Sequence, residues 1–153
     1  TTEIYTLSLH DALPICKRLG SDEMIVLDTH VWVWWVHGGE QLTKNQISAI
    51  QANEDDVIGI SAITCWEVAK LVELGRLELS TPVEKWIEEA LNYPGIRFLE
   101  LSPEISVEST RLPGEFHRDP ADQIIVATAR IYNCALVTSD EQIIEYSHIK
   151  TIS

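Results

Sequence analysis

The sequence predicts an α/β fold, a three-layer α/β/α arrangement on a mainly parallel sheet. Three observations carry that expectation. Short apolar runs alternate with helical patterns along most of the chain. The runs are almost continuously apolar, as in strands covered on both faces, and do not alternate as half-buried strands do. The length of 153 residues, with 45% hydrophobic and 23% charged residues, is that of one ordinary globular domain able to bury a core without staples.

The elements follow in order. Ile25-Val26-Leu27 reads as a buried strand that stops at Asp28-Thr29. Val31 to Val36 reads as a short tryptophan-rich helix ending at Gly38-Gly39. Thr43-x-x-Gln46 is a capping-box signature for a helix ending near Asn53. Val57 to Ser61 is a second strand. Thr64-x-x-Glu67 reads as another capping box, opening a helix that ends at Gly75. Ser80-Thr81-Pro82-x-Glu84 starts the next helix, with proline near its first position. Arg97 to Leu101 is a third strand, and Ser102-Pro103-Glu104 opens a helix running to Pro113-Gly114. Asp119-Pro120-Ala121-Asp122 opens the clearest helix of all. Ala135 to Thr138 is a strand ending at Ser139-Asp140, and a short helix and a last strand, Ile149 to Ile152, follow.

Residues 24–153 are expected to form this one domain. Residues 1–23 show neither period, and their charges follow their short apolar stretch, unlike a secretory signal. They read as a non-native or disordered extension ahead of Met24, the only methionine. No apolar run approaches the roughly 20 residues of a membrane helix. Cys16, Cys65 and Cys134 are odd in number and widely spaced, without zinc-ligand spacing, so reduced thiols and a cytoplasmic location are expected. A net charge of −13 argues against a protein that coats nucleic acid through a basic surface. It is compatible with acids that hold divalent cations, whose charge offsets theirs.

In a parallel sheet with right-handed crossovers, ligands bind outside the carboxyl ends of the strands. Asp28 ends the first strand, and Asp140 lies just past a late one. Glu67 and Asp122 are expected in the first turns of helices that start at that same edge. Four carboxylates, far apart in sequence, are thus expected on one rim. Crowded acids repel, and one or more takes up a proton unless a cation intervenes. Mg²⁺ or Mn²⁺ suits such oxygen ligands, polarises a phosphoryl oxygen and activates water, so phosphodiester hydrolysis is the natural chemistry. Each acid also has a purely local explanation. Glu67 and Asp122 fit N3 positions, Asp119 an N-cap, and Asp140 a cap of the helix after it. Asp28 has the weakest such explanation, because an acid ending a buried strand needs a partner.

The segments Met24-Ile25-Val26-Leu27-Asp28-Thr29-His30, Ile60 to Thr64 leading to Trp66-Glu67-Val68-Ala69, His117-Arg118-Asp119-Pro120-Ala121-Asp122 running into Ile125 to Ala129, and Leu136 to Asp140 together resemble the PIN-domain nucleases. The resemblance is in particular to the toxins of VapBC-type toxin–antitoxin pairs, and it covers residues 24–152. It implies a PIN-like fold and a Mg²⁺- or Mn²⁺-dependent endoribonuclease whose site acids are Asp28, Glu67, Asp122 and Asp140. It also implies an RNA substrate, a homodimer, and silencing by a cognate antitoxin whose tail enters the acidic groove. Asp119 matches a common family acid and is expected to act behind the metal ligands or as an N-cap. The extension 1–23 departs from the pattern.

Thr29, Thr138 and Ser139 flank the acids and are candidates to hydrogen-bond ligand or water, though strand-end residues need no such role. Lys70, three residues after Glu67, is a candidate to orient it or to meet a phosphate, against the ordinary role of a solvated helix lysine. His30, His37 and His117 lack histidine-pair metal spacing. His30 and His117 fall near the expected site, where a general-base role is the weaker reading. Trp32, Trp34, Trp35 and Trp66 point to core or interface packing. Trp32 and Trp34 cannot face the same way on a helix, leaving one for a dimer or antitoxin contact. Competing readings are a PIN-domain nuclease of RNA maturation and a non-enzymatic phospho-acceptor domain. The second would use Asp28 with Lys150 in the last strand. A phosphatase with Asp28 as nucleophile lacks its second acid, since His30 stands there.

Overall fold

A computed structural model of the chain describes residues 24–54 and 57–153; the reading of residues 1–23 lies outside them. The strands are β1 (Ile25–Leu27), β2 (Ile58–Ser61), β3 (Ile96–Leu99), β4 (Ala135–Val137) and β5 (Thr151–Ile152). The helices among the described residues are α1 (Thr29–Val36), α2 (Lys44–Asn53), α3 (Ala62–Glu73), α4 (Val83–Leu91), α5 (Pro103–Ser109), α6 (Pro120–Ile131) and α7 (Glu141–Ile144). The sheet order is β3-β2-β1-β4-β5, and every neighbouring pair is parallel. From β1 the chain therefore winds outward through β2 and β3, then returns to β4 on the other side of β1. The direction of winding reverses between β1 and β4, which is where such sheets open a crevice.

Successive strand side chains point to opposite faces, and the central strands β1 and β4, covered on both, are apolar at every position. Ile25 and Leu27 of β1, Ile58 and Ile60 of β2, and Ala135 and Val137 of β4 pack with Val31, Trp32, Ile50, Val68 and Trp86. Those partners lie on α1, α2, α3 and α4. Val26 and Leu136 face the other way, into Leu99, Ile125, Val126, Ala129, Ile143 and Tyr146. Each such side chain, when fully buried, stabilises the fold by about 1.5–3 kcal/mol. Trp32 is fully buried and meets Trp86 edge-on at 5.0 Å, which answers the question of which tryptophan turns inward. Trp34 and Trp35 are half-buried and Trp66 is exposed.

The predicted capping box at Thr43 is present, with both reciprocal hydrogen bonds to Gln46. Gly75 adopts φ +71 past the end of α3, as a C′ glycine should. Gly95, φ +87, comes so close to the Glu54 carbonyl that any side chain would collide with backbone there.

Several boundaries differ from expectation. The helix α3 starts at Ala62, with the Ser61 hydroxyl accepting from the Ile63 N–H, so Thr64 is no N-cap and Glu67 lies in the second turn. Thr64 is instead buried on the inner face, one turn before Val68. Pro82 is itself the N-cap residue of α4 and supplies no side-chain cap. The helix α5 ends at Ser109, not at Pro113. Thr110 and Arg111 close it with turns back to Val107 and Glu108, and Leu112, preceding a proline, is disfavoured in a helix. Strand β3 starts at Ile96 and ends at Leu99, and Lys150 precedes β5 instead of lying in it. No helix among the described residues is long and apolar enough to cross a membrane.

Candidate active site

The site is built outward from the crevice between β1 and β4. Their register sets Leu27 opposite Val137, so the next residues, Asp28 and Thr138, face each other at the carboxyl edge. The Thr138 hydroxyl donates to Asp28 Oδ2 at 2.7 Å. The same hydroxyl oxygen accepts from the Asp140 N–H at 3.0 Å, so one threonine links the two strand-end acids. Asp28 is also the N-cap of α1, and its Oδ1 accepts from the Thr29 N–H at 2.8 Å. Asp28 is only 7% exposed, so these two bonds answer the need for partners that an acid ending a buried strand creates.

Asp140 caps α7, with Oδ1 accepting from the Gln142 and Ile143 N–H groups at 2.9 and 3.3 Å. Behind this edge lies Gln46, fully buried on α2. Its Nε2 donates to the Thr138 carbonyl at 3.2 Å and to Ser139 Oγ at 2.8 Å. Ser139 is thus tied to the framework that supports Asp140.

The two remaining acids come from helices that touch each other, α3 and α6. Glu67, half-buried, accepts from the Thr29 hydroxyl at 2.6 Å. Thr29 follows Asp28 in sequence, so the α1 start positions both acids: its backbone holds Asp28 and its side chain holds Glu67. Asp119 is the exposed N-cap of α6, and its Oδ1 accepts from the Asp122 N–H at 3.0 Å, leaving Asp122 at N3. Asp122 Oδ2 lies 3.0 Å from His117 Nε2.

The acids sense one another. Burial raises the Asp28 carboxyl; the Thr138 and Thr29 hydrogen bonds and His30 pull it back, and Asp140 adds to the rise. Burial likewise raises Glu67, opposed by the Thr29 hydroxyl and reinforced by Asp28 and Asp119. Asp122 is pushed from 3.8 to about 7, by burial first and then by Asp28, Asp119, Asp140 and Glu67. All four other acids bear on Asp122, which puts it at the centre of the group. A hard divalent cation is the partner such a donor set fits, since it takes only oxygen ligands and relieves this repulsion. Among the described residues no three His, Cys, Asp or Glu side chains already stand close enough together to hold a metal ion. The acids form an open rim.

The sequence offers Thr138 only as one of three flanking hydroxyls, with no sign that it links two acids, and it places His117 near the site without a partner. The signal for Thr138 was its place one residue past β4, but only the β1–β4 pairing makes that decisive. Lys70 goes elsewhere: its Nζ donates to Glu73 at 2.6 Å, on the exposed side of α3. Lys150, ahead of β5 and alongside Ala135, lies at the amino edge, away from Asp28. That leaves the phospho-acceptor reading without its lysine.

The PIN domain family matches residues 25–149. Ribonuclease VapC22 of Mycobacterium tuberculosis is 30% identical over 129 residues, covering 84% of this chain and 96% of that protein. Among solved structures, the fold is similar to VapBC2 from Rickettsia felis bound to a DNA fragment from its promoter. The TM-score is 0.60 at 14% identity, with 85% of this chain and 99% of that chain covered. It is also similar to a toxin–antitoxin complex from Klebsiella pneumoniae, with TM-score 0.58, 20% identity, and 84% and 96% covered. At these identities the structural likeness speaks to the fold.

Proposed function

Because the chain belongs to the PIN-domain family, we propose that it is a divalent-metal-dependent endoribonuclease and the toxin of a toxin–antitoxin pair. The observation that carries this reading is the gathering of Asp28, Glu67, Asp140 and Asp119 around Asp122, at the point where the sheet winding reverses. The ribonuclease relative supports RNA as substrate, and the toxin–antitoxin complex of the same fold supports a protein antitoxin as partner. A homodimer is expected by the same family argument.

Asp28, Glu67, Asp122 and Asp140 would hold Mg²⁺ or Mn²⁺, with water completing the coordination as magnesium prefers. The bound ion would polarise a phosphoryl oxygen and make its water a better nucleophile. The chain's own residues do the positioning. Thr138 fixes Asp28 relative to Asp140, and Thr29 fixes Glu67 relative to Asp28. These bonds leave free lone pairs on each carboxylate for a ligand. In a chain of net charge −13, uncompensated acids repel RNA phosphates, so substrate entry follows cation binding. The same field attracts a basic antitoxin segment when no RNA is present, an association that salt should weaken.

The test is RNA cleavage with Mg²⁺ or Mn²⁺, with and without chelator, by the wild type, Asp28→Asn and Asp122→Asn. Cleavage should need the metal. It should fall in each variant by more than the roughly 10–100-fold that removing a mere outer partner of a metal ligand costs. Cleavage that survives chelation or both substitutions would refute the reading.

A further inference from the structure

His117 is unused by the mechanism above, yet it is held from several sides. Its ring packs on Phe116 at 4.4 Å between centroids, and Phe116 packs on the buried Tyr146 at 4.8 Å. The Tyr146 hydroxyl donates to the Pro113 carbonyl. Gln123 Nε2 donates to the His117 carbonyl at 3.1 Å. At the ring itself the Asp119 N–H points at Nδ1, 3.4 Å away. A backbone N–H can only donate, so in the neutral ring Nδ1 carries the lone pair and the proton sits on Nε2.

That Nε2 is shielded from solvent and makes no aligned hydrogen bond, while Asp122 Oδ2 stands 3.0 Å from it. A carboxylate fixed through Oδ2 presents Oδ1 in one defined direction. Ligating carboxylates that are hydrogen-bonded in this way bind metal more tightly, because less freedom is lost on coordination.

We infer that His117 is a positioning residue: its Nε2–H, set by the Asp119 backbone, orients the Asp122 carboxylate for the divalent cation. The inference rests on the metal-dependent reading above. The ring stack ties this donor to the core through Phe116 and Tyr146, so its direction is set by that packing.

The experiment compares His117→Phe, which keeps the ring and its packing but removes the donor, with His117→Gln, whose amide N–H₂ reaches about as far as Nε2. Mn²⁺ affinity is read by calorimetry, thermal stability is read without metal, and kcat and KM are read on RNA. His117→Phe should lose about tenfold or more in Mn²⁺ affinity. It should keep the metal-free melting temperature and lower kcat with little change in KM. His117→Gln should stay within a few-fold of wild type in all of these. Metal affinity of His117→Phe within twofold of wild type would overturn the inference while leaving the nuclease reading intact. So would an equal loss in His117→Gln, because a restored N–H donor would then make no difference. Wild-type protein that binds no Mn²⁺ would remove both.

Discussion

The strand-end acids and the helix-borne acids reach the same rim in different states. Asp28 has a donor on each oxygen, and Asp140 has two N–H groups on one. Both also cap helices, so the fold itself uses them. Glu67 has one hydroxyl donor, and the Asp122 carboxylate has no aligned donor among the described residues, only His117 beside it. Asp122 also takes the full repulsion of the others. The first pair is built into the framework, whereas the second pair carries crowded charge that a proton or a cation would relieve.

The largest effect that sharpens this contrast is metal-induced stabilisation and its pH dependence. A raised carboxyl pKa means the folded protein keeps a proton that the unfolded chain has released. Between about pH 4 and 7 the metal-free protein therefore loses stability as pH rises through the Asp122 titration, and the penalty stays constant above it. Saturating Mg²⁺ should remove that penalty. At a hundred times its dissociation constant it adds about 2.7 kcal/mol, roughly 5–10 °C in melting temperature for a domain of this size. The shift should be large at pH 8 and nearly absent at pH 5, because coordination requires the ionised carboxyl. Equal shifts at both values would show that Asp122 is not the acid being relieved.

Next come substitutions of opposite sign. Asp28→Ala strips a helix cap and leaves the Thr138 hydroxyl and Thr29 N–H without acceptors, a loss of about 1–3 kcal/mol in denaturant unfolding. Asp122→Asn, measured without metal at pH 8, should instead gain on the order of 1 kcal/mol, because it removes the most crowded charge. If both variants destabilise alike, the division into framework acid and strained acid is wrong. The smallest effect is that of Lys70→Ala. An exposed lysine paired with Glu73 contributes about 0.3–0.5 kcal/mol, and RNA cleavage should not change. A large loss of cleavage there would restore Lys70 to the site.

Much of this was legible in the sequence because it is encoded locally. Asp119-Pro120-x-Asp122 spells an N-cap, a proline at N1 and an acid at N3, and the structure has all three. The continuous apolar strands gave the layered parallel sheet for the same reason. Glu67 was legible as a carboxylate on the Asp28 edge but not in its turn of the helix. Ser61 and Thr64 are both able caps, and the choice falls to where β2 stops pairing with β3, at Ser61 opposite Leu99. That is a tertiary fact. The partners of Thr138 and Gln46 were hidden for the same reason, since strand order decides what faces Asp28 and what lies behind Thr138. His117 lacked any spacing signature, because its role depends on a ring stack closed by Tyr146, far along the chain.

The central claim is that these four carboxylates share a cation. Anomalous scattering from crystals of the protein grown with Mn²⁺ tests it most directly. The result expected is manganese density bounded by Asp28, Glu67, Asp122 and Asp140, lost in Asp122→Asn crystals under the same conditions. Manganese bound elsewhere, or density there that is indifferent to Asp122, would contradict the account.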